Sequence, residues 1–245
     1  MTLGSHITPL SRSYIENADV VFVAASNNIV EQWVAGMNND VRSLQQYYHE
    51  GTSRIITYKK MVEVIMAEVR IGKKVCGAFY GHPGVFAWAP HESIKQAKSE
   101  GYRAHMEPGV SAEDCLYADL GIDPGKYGCS HFEASQYMFR NKIFDASSYL
   151  ILWQFGIAGD KSLAKFSTTP KYKQILVDML LKIYPADFEI ILYECAVLPI
   201  EQTVIKKIKL SELADAEMSL KTTVVFPPYK KTTLNKHIVK LVEKI

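Results

Sequence analysis

Short apolar runs that end abruptly at glycine and proline constrain the fold of this chain most strongly. Residues 18–24 read ADVVFVA, and residues 75–80 read VCGAFY directly before a GHPG turn. Continuous apolar runs of strand length are typical of parallel strands that helices cover on both faces. Helical patterns alternate with these runs, so the sequence predicts an α/β fold with a mostly parallel sheet in its first half.

Periodic segments between these runs predict the helices of the first half. Met61, Ile65 and Val69 recur every four positions, as on one face of a helix. Ser111 and Asp114 have the spacing of a capping box, which marks the start of another helix. Helices are therefore predicted over residues 28–37, 57–72 and 91–100 and from residue 111 onward, and a third strand over residues 102–106.

The second half predicts a smaller mixed sheet with its own helices. The turn-rich residues 121–128 suggest a boundary, which gives an N-terminal α/β domain over residues 1–122, a C-terminal α/β domain over 123–228 and a helical tail over 229–245. Strands are predicted over residues 149–155, 188–194, 202–210 and 222–226, and a helix over residues 171–184. The tail carries Leu234, Ile238, Leu241 and Val242 at helical spacing, so we expect it to dock on the body or on a partner.

Composition excludes several classes of protein. Of 245 residues, 48% are hydrophobic and 22% charged, as in ordinary globular proteins, and a net charge of +2 gives no basic surface for a nucleic-acid partner. The apolar runs are too short to cross a membrane, and the first residues do not resemble a secretory signal, so we expect a cytoplasmic protein. Cys76, Cys115, Cys129 and Cys195 are scattered, which indicates reduced thiols and no metal site.

Two groups of residues could carry chemistry. The GHPG turn and Pro108-Gly109 each follow a predicted strand, and ligands of open α/β sheets bind at such strand ends. Arg54 and Tyr58 lie four positions apart near Tyr48, and they share a face if the helix begins at Arg54. A guanidinium next to a phenol lowers the pKa of the phenol, which suits proton abstraction or the stabilisation of an anion. Taken singly, the glycine turns also fit ordinary strand-to-helix turns, and Arg54 also fits a surface arginine packed on tyrosines. His131, Trp33 and Trp88 are single residues that are interpreted as packing residues.

Longer strings in the sequence resemble one enzyme family. YGHPGVF at residues 80–86 and EPGVSAEDCLYADLGIDPG at residues 107–125 resemble the borosin-type peptide backbone N-methyltransferases of the tetrapyrrole-methylase superfamily. The similarity includes SRSYIENADVVF, QYYHEGTSRIITY, LILWQF and TTVVFPP, so it covers nearly the whole chain. The glycine turns are typical of the superfamily, whereas the Tyr-Arg-Tyr block and SAEDCLYADLGIDP are typical of borosin enzymes.

The resemblance implies a cleft between two α/β domains that binds S-adenosylmethionine and needs no metal. Tyr58 is then the general base, with Arg54 and Tyr48 stabilising the oxygen of the deprotonated amide. By the same resemblance, the residues in contact with the cofactor are Tyr80, His82, Val85, Ala112, Gln154, Cys195, Ala196, Thr222 and Thr223.

The sequence departs from the family pattern at two places. Gln45 occupies the position of another tyrosine of the catalytic block, so a supporting hydrogen bond is expected to differ. The family begins with a strand and a glycine-rich turn before the segment that matches residues 2–4, and here that strand is absent. The loss of a central strand would expose the edges of its neighbours, so a truncated or differently started chain is expected.

The resemblance also implies partners. Residues 227–245 have no apolar β-branched run that could serve as a core peptide, so the chain resembles the split bacterial form, in which a separate precursor peptide carries a binding domain and the target segment. Family members pair, so we expect a homodimer that forms a heterotetramer with two precursors. Two alternatives remain open: a methyltransferase for a tetrapyrrole or other small molecule, and a non-catalytic module that binds peptides.

Overall fold

The computed structural model describes residues 4–245, which form two compact units. The first unit holds the chain up to Ile122 together with Asp160–Phe166 and Cys195–Val204, and the second holds Asp123–Gly159, Ser167–Glu194 and Ile205–Ile245. This division is discontinuous, whereas the domains proposed from the sequence are continuous segments.

A three-stranded parallel sheet forms the centre of the first unit. Its strands are β1 (Val20–Ala24), β2 (Val41–Ser43) and β3 (Val75–Phe79), in the order β2-β1-β3. The helices of this unit are α1 (Pro9–Glu16), α2 (Asn28–Ala35), α3 (Arg54–Arg70), α4 (Trp88–Ser99) and α5 (Ala112–Leu120), with a short 3₁₀ turn at Gln45–Tyr47.

The middle strand β1 is buried on both faces, as its continuous apolar run predicts. Val20 and Phe22 pack with Met61 of α3, whereas Val21 and Val23 belong to a second apolar cluster on the opposite face. Successive side chains of a strand point to opposite faces, so an unbroken apolar run serves two layers of helices at once. The predicted α/β fold with a parallel sheet is confirmed.

One predicted strand of the first unit is wrong. Residues 102–106 belong to no sheet, and no backbone hydrogen bond joins them to β3 within the described part of the chain. A cavity of about 790 Å³ is lined by β3 and residues 102–110, together with residues of α1. A strand is defined by its hydrogen-bonded partner strand, and residues 102–106 have none within the described part of the chain. Conversely, the polar three-residue strand β2 was not predicted.

The second unit contains a five-stranded mixed sheet in the order β4-β5-β8-β6-β7, in which β4 and β5 are parallel and β8 is antiparallel to both β5 and β6. Its elements are α6 (Pro124–Tyr127), β4 (Cys129–Glu133), α7 (Ala134–Phe139), β5 (Tyr149–Trp153), α8 (Pro170–Leu180), β6 (Glu189–Glu194), β7 (Val204–Lys209), β8 (Thr223–Phe226) and α9 (Lys236–Val242), with 3₁₀ turns at Phe155–Ile157 and Leu210–Glu212. The predicted mixed sheet is confirmed, although β4 was missed because CSHFE has no apolar run.

Aromatic side chains fill much of the core of the second unit. Tyr184 is buried, with its ring centroid 4.9 Å from that of Phe188 and 5.1 Å from that of Phe226. Leu176 and Leu180 of α8 belong to the same cluster. Large aromatic rings of this kind each bury a large apolar area, so they contribute strongly to the stability of this unit.

The tail helix α9 has no buried residue, and all of its residues except Val239 are exposed. Leu234 is 70% exposed, and Ile238, Leu241 and Val242 are also exposed. Docking of this helix on the body of the chain, one of the two alternatives predicted from its spacing, is therefore wrong. Within residues 4–245, no helix is both long and apolar enough to cross a membrane.

Candidate active site

The first turn of α3 carries the arginine and one tyrosine of the predicted catalytic block. The helix begins at Arg54, as the predicted shared face requires, so Tyr58 lies one turn further along the same side. The backbone N–H of Arg54 donates to the Leu163 carbonyl at 2.8 Å, and its Nη2 donates to the Lys165 carbonyl at 3.0 Å. The guanidinium is thus oriented by a loop that is remote in the sequence.

Three aromatic rings surround the other end of this turn. The rings of Tyr48 and Tyr58 meet edge to face, with centroids 6.3 Å apart and planes at 83°. Tyr58 also stacks on Trp88, with centroids 6.3 Å apart and planes at 22°. The structure therefore brings together Tyr48, Arg54 and Tyr58, and it adds Trp88, which the sequence analysis had assigned to packing alone. Nothing in the local pattern around Trp88 indicates this contact.

The environment of Tyr48 keeps its hydroxyl protonated. Burial raises the pKa of Tyr48 well above its usual value, and the neighbouring hydroxyls of Tyr58 and Tyr80 raise it further, while Arg54 opposes them with a smaller effect. Arg54 thus acts on the pKa of Tyr48 in the predicted direction, but burial outweighs it and the net pKa is raised. At neutral pH the Tyr48 hydroxyl is a hydrogen-bond donor, which is the form that stabilises an oxyanion.

The two glycine turns of the first unit are in direct contact. Gly81 has a φ of 74°, and the Nδ1 atom of His82 accepts a hydrogen bond from the Gly84 N–H at 2.9 Å. A Cβ atom added to Gly109 would lie 2.3 Å from the Gly81 carbonyl oxygen, so only glycine permits this approach. The second turn thus meets the first although residues 102–106 form no strand.

The helix α5 begins directly after the second turn. The Ser111 hydroxyl accepts from the Asp114 N–H at 3.2 Å, and Asp114 Oδ2 accepts from the Ser111 N–H at 2.7 Å, so the predicted capping box is confirmed. Ala112 is the first residue of this helix. Cys195 lies beside Cys115 of α5, and its thiol donates to the Ala196 carbonyl at 3.3 Å.

The predicted cofactor residues divide between the two units. Six of them belong to the first unit: Tyr80, His82, Val85, Ala112, Cys195 and Ala196. Tyr80 and Val85 are exposed there, with Tyr80 at 56%. The remaining three, Gln154, Thr222 and Thr223, belong to the second unit.

Gln154, Thr222 and Thr223 lie together at one end of the second sheet. Gln154 follows β5 in the left-handed conformation with a φ of 56°, and the N–H of Phe155 donates to the Thr222 carbonyl at 3.3 Å. The buried Thr222 hydroxyl donates to Glu194 Oε1 and accepts from the N–H of Ser219 at 2.8 Å. Glu194 was not singled out from the sequence, because it closes a strand whose pattern indicates only burial.

Gln45, the residue that departs from the family block, contacts the backbone. Its Nε2 donates to the carbonyl of Ala25, directly after β1, at 2.6 Å. The N–H of Gln45 donates to the Ser43 hydroxyl at 3.1 Å. This side chain therefore fixes the start of the segment that leads to Tyr48.

Comparison of the sequence with known proteins identifies its relatives. The family model for tetrapyrrole (corrin/porphyrin) methylases matches residues 3–214. The methyltransferase/ribosomally synthesized cyclic peptide gymnopeptides precursor of Gymnopus fusipes is 44% identical over 91% of this chain and 54% of its own length. The corresponding omphalotin A precursor of Omphalotus olearius is 39% identical over 94% of this chain and 56% of its own length. The chain thus spans about half the length of these curated relatives.

Solved structures agree with the fold. Uroporphyrin-III-C-methyltransferase from Thermus thermophilus matches all of this chain and 94% of its own with a TM-score of 0.65 at 15% identity. A cobalamin biosynthetic enzyme, cobalt precorrin-4 methyltransferase, matches 90% of this chain and 88% of its own with a TM-score of 0.62 at 16% identity. A parallel sheet, a mixed sheet and a family match that covers most of the sequence lead to one conclusion: the chain belongs to the tetrapyrrole (corrin/porphyrin) methylase family, and its curated relatives are borosin-type methyltransferase precursors.

Proposed function

We propose that this protein transfers methyl groups from S-adenosylmethionine to backbone amide nitrogens of a ribosomally made precursor peptide. The observation that carries the proposal is the grouping of Arg54, Tyr58 and Tyr48 around the first turn of α3. The relatives are named as methyltransferases joined to peptide precursors, which points to a peptide as the acceptor.

The residues present fit the proposed cofactor. S-Adenosylmethionine has a positively charged sulfonium, an amino-acid end and a nucleoside. The exposed ring of Tyr80 suits the cation, and the glycine turn at residues 81–84 leaves backbone groups accessible to polar ends. By the resemblance stated above, Gln154, whose side chain is exposed, would be a further polar contact. When bound, the cofactor supplies an electrophilic methyl group.

The chain's own residues must overcome the low nucleophilicity of an amide nitrogen. Its lone pair is delocalised into the carbonyl, so the nitrogen becomes reactive only when its proton is removed. In the proposal Tyr58 releases its own proton to solvent and then accepts the amide proton, while Arg54 and the protonated Tyr48 donate hydrogen bonds to the carbonyl oxygen, which gains negative charge. The deprotonated nitrogen would then take the methyl group that the bound cofactor supplies, and it would carry that group in place of its proton.

The proposal extends to the form in which the peptide arrives. We infer a separate precursor with its own binding domain, as the resemblance to the split bacterial enzymes implies, and a homodimer that binds two precursors. Presentation of the peptide by a docked domain would raise the effective concentration of the target amides near Tyr58.

Co-expression with a candidate precursor tests the proposal. The precursor should gain mass in steps of one methyl group, and tandem mass spectrometry should locate the methyl groups on backbone nitrogens. The purified enzyme alone should show no gain with cofactor. Methyl groups on residues 227–245 of this chain would contradict the separate precursor. If none of the neighbouring candidate precursors gains a methyl group, the proposed reaction is contradicted.

A further inference from the structure

A loop of the first unit, residues 160–166, is hydrogen-bonded to the start of α3. The Gly51 N–H donates to the Ala164 carbonyl at 3.0 Å, and the Arg54 N–H donates to the Leu163 carbonyl at 2.8 Å. The Arg54 guanidinium donates to the Lys165 carbonyl at 3.0 Å. Three successive carbonyls of this loop therefore hold the turn that carries Arg54.

The loop is organised around a buried carboxylate. Asp160 is only 4% exposed. Its Oδ1 accepts from the N–H of Ser162 at 2.9 Å and from the Ser162 hydroxyl, and its Oδ2 accepts from the N–H groups of Ala164 at 2.9 Å and Lys165 at 2.8 Å. One side chain thus satisfies three backbone donors that the turn leaves without carbonyl partners.

The charge of Asp160 is maintained by these contacts. Burial alone would raise its pKa, but the hydrogen bonds from Ser162, Lys165 and Ala164 outweigh burial and hold the pKa below its usual value. The carboxylate is therefore ionised at neutral pH and accepts at both oxygens. Charge-assisted hydrogen bonds of this kind are stronger than neutral ones, so the loop is held firmly.

The conformation of Leu163 shows what these bonds accomplish. Leu163 has a φ of 56°, in the left-handed region that a branched side chain rarely adopts. Such a conformation persists only where the surroundings hold it. Here the Asp160 bonds to Ser162 and Ala164 hold the residues on either side of Leu163, and the result is that its carbonyl meets the N–H of Arg54.

We infer that Asp160 is a positioning residue for Arg54. Its carboxylate fixes the loop whose Leu163 and Lys165 carbonyls orient the first residue of α3 and its guanidinium. Asp160 itself bonds to neither the guanidinium nor the turn, so it acts through the loop. This inference deepens the proposed function, and its effect on methyl transfer rests on that function. Its effect on the position of Arg54 can be measured without any substrate.

The substitution Asp160→Asn tests the inference, because it keeps the size of the side chain but turns one acceptor oxygen into a donor that faces backbone N–H groups. The structural measurement is the ¹H–¹⁵N spectrum of the arginine Nε–Hε groups, with the Arg54 signal assigned through Arg54→Lys. We expect the Arg54 signal to shift or broaden while those of Arg12 and Arg70, which bond to carboxylates elsewhere, stay in place.

The kinetic measurement separates positioning from general damage. We expect kcat to fall about tenfold or more, since small misplacements of a catalytic group reduce rates by up to about a hundredfold. Affinity for S-adenosylhomocysteine should change less than about twofold. Asp145→Asn is the matched control, because Asp145 accepts from the N–H and hydroxyl of Ser147 in the same type of turn within the second unit.

The outcomes distinguish the inference from the proposed function. An unmoved Arg54 signal in Asp160→Asn overturns the inference, whatever the activity. If the Arg54 signal moves in Asp160→Asn and the unmodified protein methylates no peptide, the positioning is supported and the proposed function is contradicted. If Asp160→Asn does not fold, Ser162→Ala removes one donor to the same carboxylate, and it should move the Arg54 signal in the same direction by a smaller amount; no movement there also overturns the inference.

Discussion

Tyr58 of α3 stacks on Trp88, the first residue of α4, with ring centroids 6.3 Å apart and planes inclined at 22°. Tyr48 meets the ring of Tyr58 edge to face. The ring of Tyr58 therefore has two aromatic neighbours while the side chain remains only half-buried. Such clamping fixes the direction of the hydroxyl, which a base in proton transfer requires.

Trp88→Leu should lower kcat, whereas Trp88→Phe should retain most of it, because a phenyl ring can still stack on Tyr58. Loss of the aromatic pair should also reduce the free energy of unfolding by about 0.5–1.5 kcal/mol beyond the lost burial. Tyr127→Leu is the control, since it removes the Tyr127–Tyr149 pair of the second unit. Steady-state kinetics and urea unfolding measure both effects, and equal turnover in Trp88→Leu and Tyr127→Leu would refute the clamp.

Arg54→Ala and Tyr58→Phe should each abolish methyl transfer, because they remove the proposed oxyanion donor and the proposed base. The affinity for S-adenosylhomocysteine should stay nearly unchanged, since neither group is proposed to bind the sulfonium. Lys59→Ala, on the exposed side of the same helix, should behave like the unmodified protein. Calorimetry and mass spectrometry of the peptide product check this, and near-normal turnover in both variants would remove the assignment.

His82→Ala and Gln154→Ala should each weaken the binding of S-adenosylhomocysteine. The reason is that His82 organises the first glycine turn through its bond from the Gly84 N–H, and Gln154 is exposed at the end of β5. Gln174→Ala on α8 is a control that removes only the hydrogen bond to Asp178. Titration calorimetry gives the affinities, and unchanged values for both variants would move the site elsewhere.

Gly109→Ala should destabilise the first unit by about 1–3 kcal/mol, since the new methyl group must push the Gly81 carbonyl away from a position 2.3 Å distant. Gly36→Ala is the matched control, because its Cβ would meet only ordinary contacts and its φ is negative. That control should be neutral or slightly stabilising. Urea unfolding of both variants decides the point; equal midpoints would show that the two turns can separate at little cost.

The Arg70–Glu100 ion pair should make stability depend on pH in the acid range. The hydrogen bond from Arg70 lowers the pKa of Glu100 from 4.5 to about 2. A depressed carboxyl pKa stabilises the folded state above pH 4.5, and this contribution is lost as the pH falls towards 2. Glu100→Gln should therefore be less stable than the original protein at pH 7, and the difference should shrink on acidification. A difference that is constant from pH 7 to pH 3 would contradict the assigned pKa.

Local patterns in the sequence predicted the parts of the fold that depend on local chemistry. The unbroken apolar run of β1 indicated burial on both faces, and the spacing of Ser111 and Asp114 indicated the start of α5. The four-residue spacing of Arg54 and Tyr58 placed them on one face once the helix began at Arg54. Each of these inferences depends on residues within about one helical turn of each other.

Contacts between distant segments were not predictable in this way. Residues 102–106 have the composition of a strand, but pairing depends on a neighbour that composition does not specify. Trp88 reaches Tyr58 from another helix, and Asp160 reaches the start of α3 through a loop whose sequence has no strong pattern. The sequence contains the hydrogen-bonding groups of that loop but no periodic signal that relates them to Arg54.

The unpaired edge of β3 affects how readily this protein aggregates in solution. Within residues 4–245, β3 pairs only with β1, and its residues line the cavity to which residues 102–110 also contribute. An apolar strand edge of this kind is a template for the addition of further polypeptide, and charged residues or proline, which normally protect such edges, do not interrupt Val75–Phe79. The tendency of the protein to aggregate at high concentration should therefore depend on whether another segment pairs with the free N–H and C=O groups along this edge of β3.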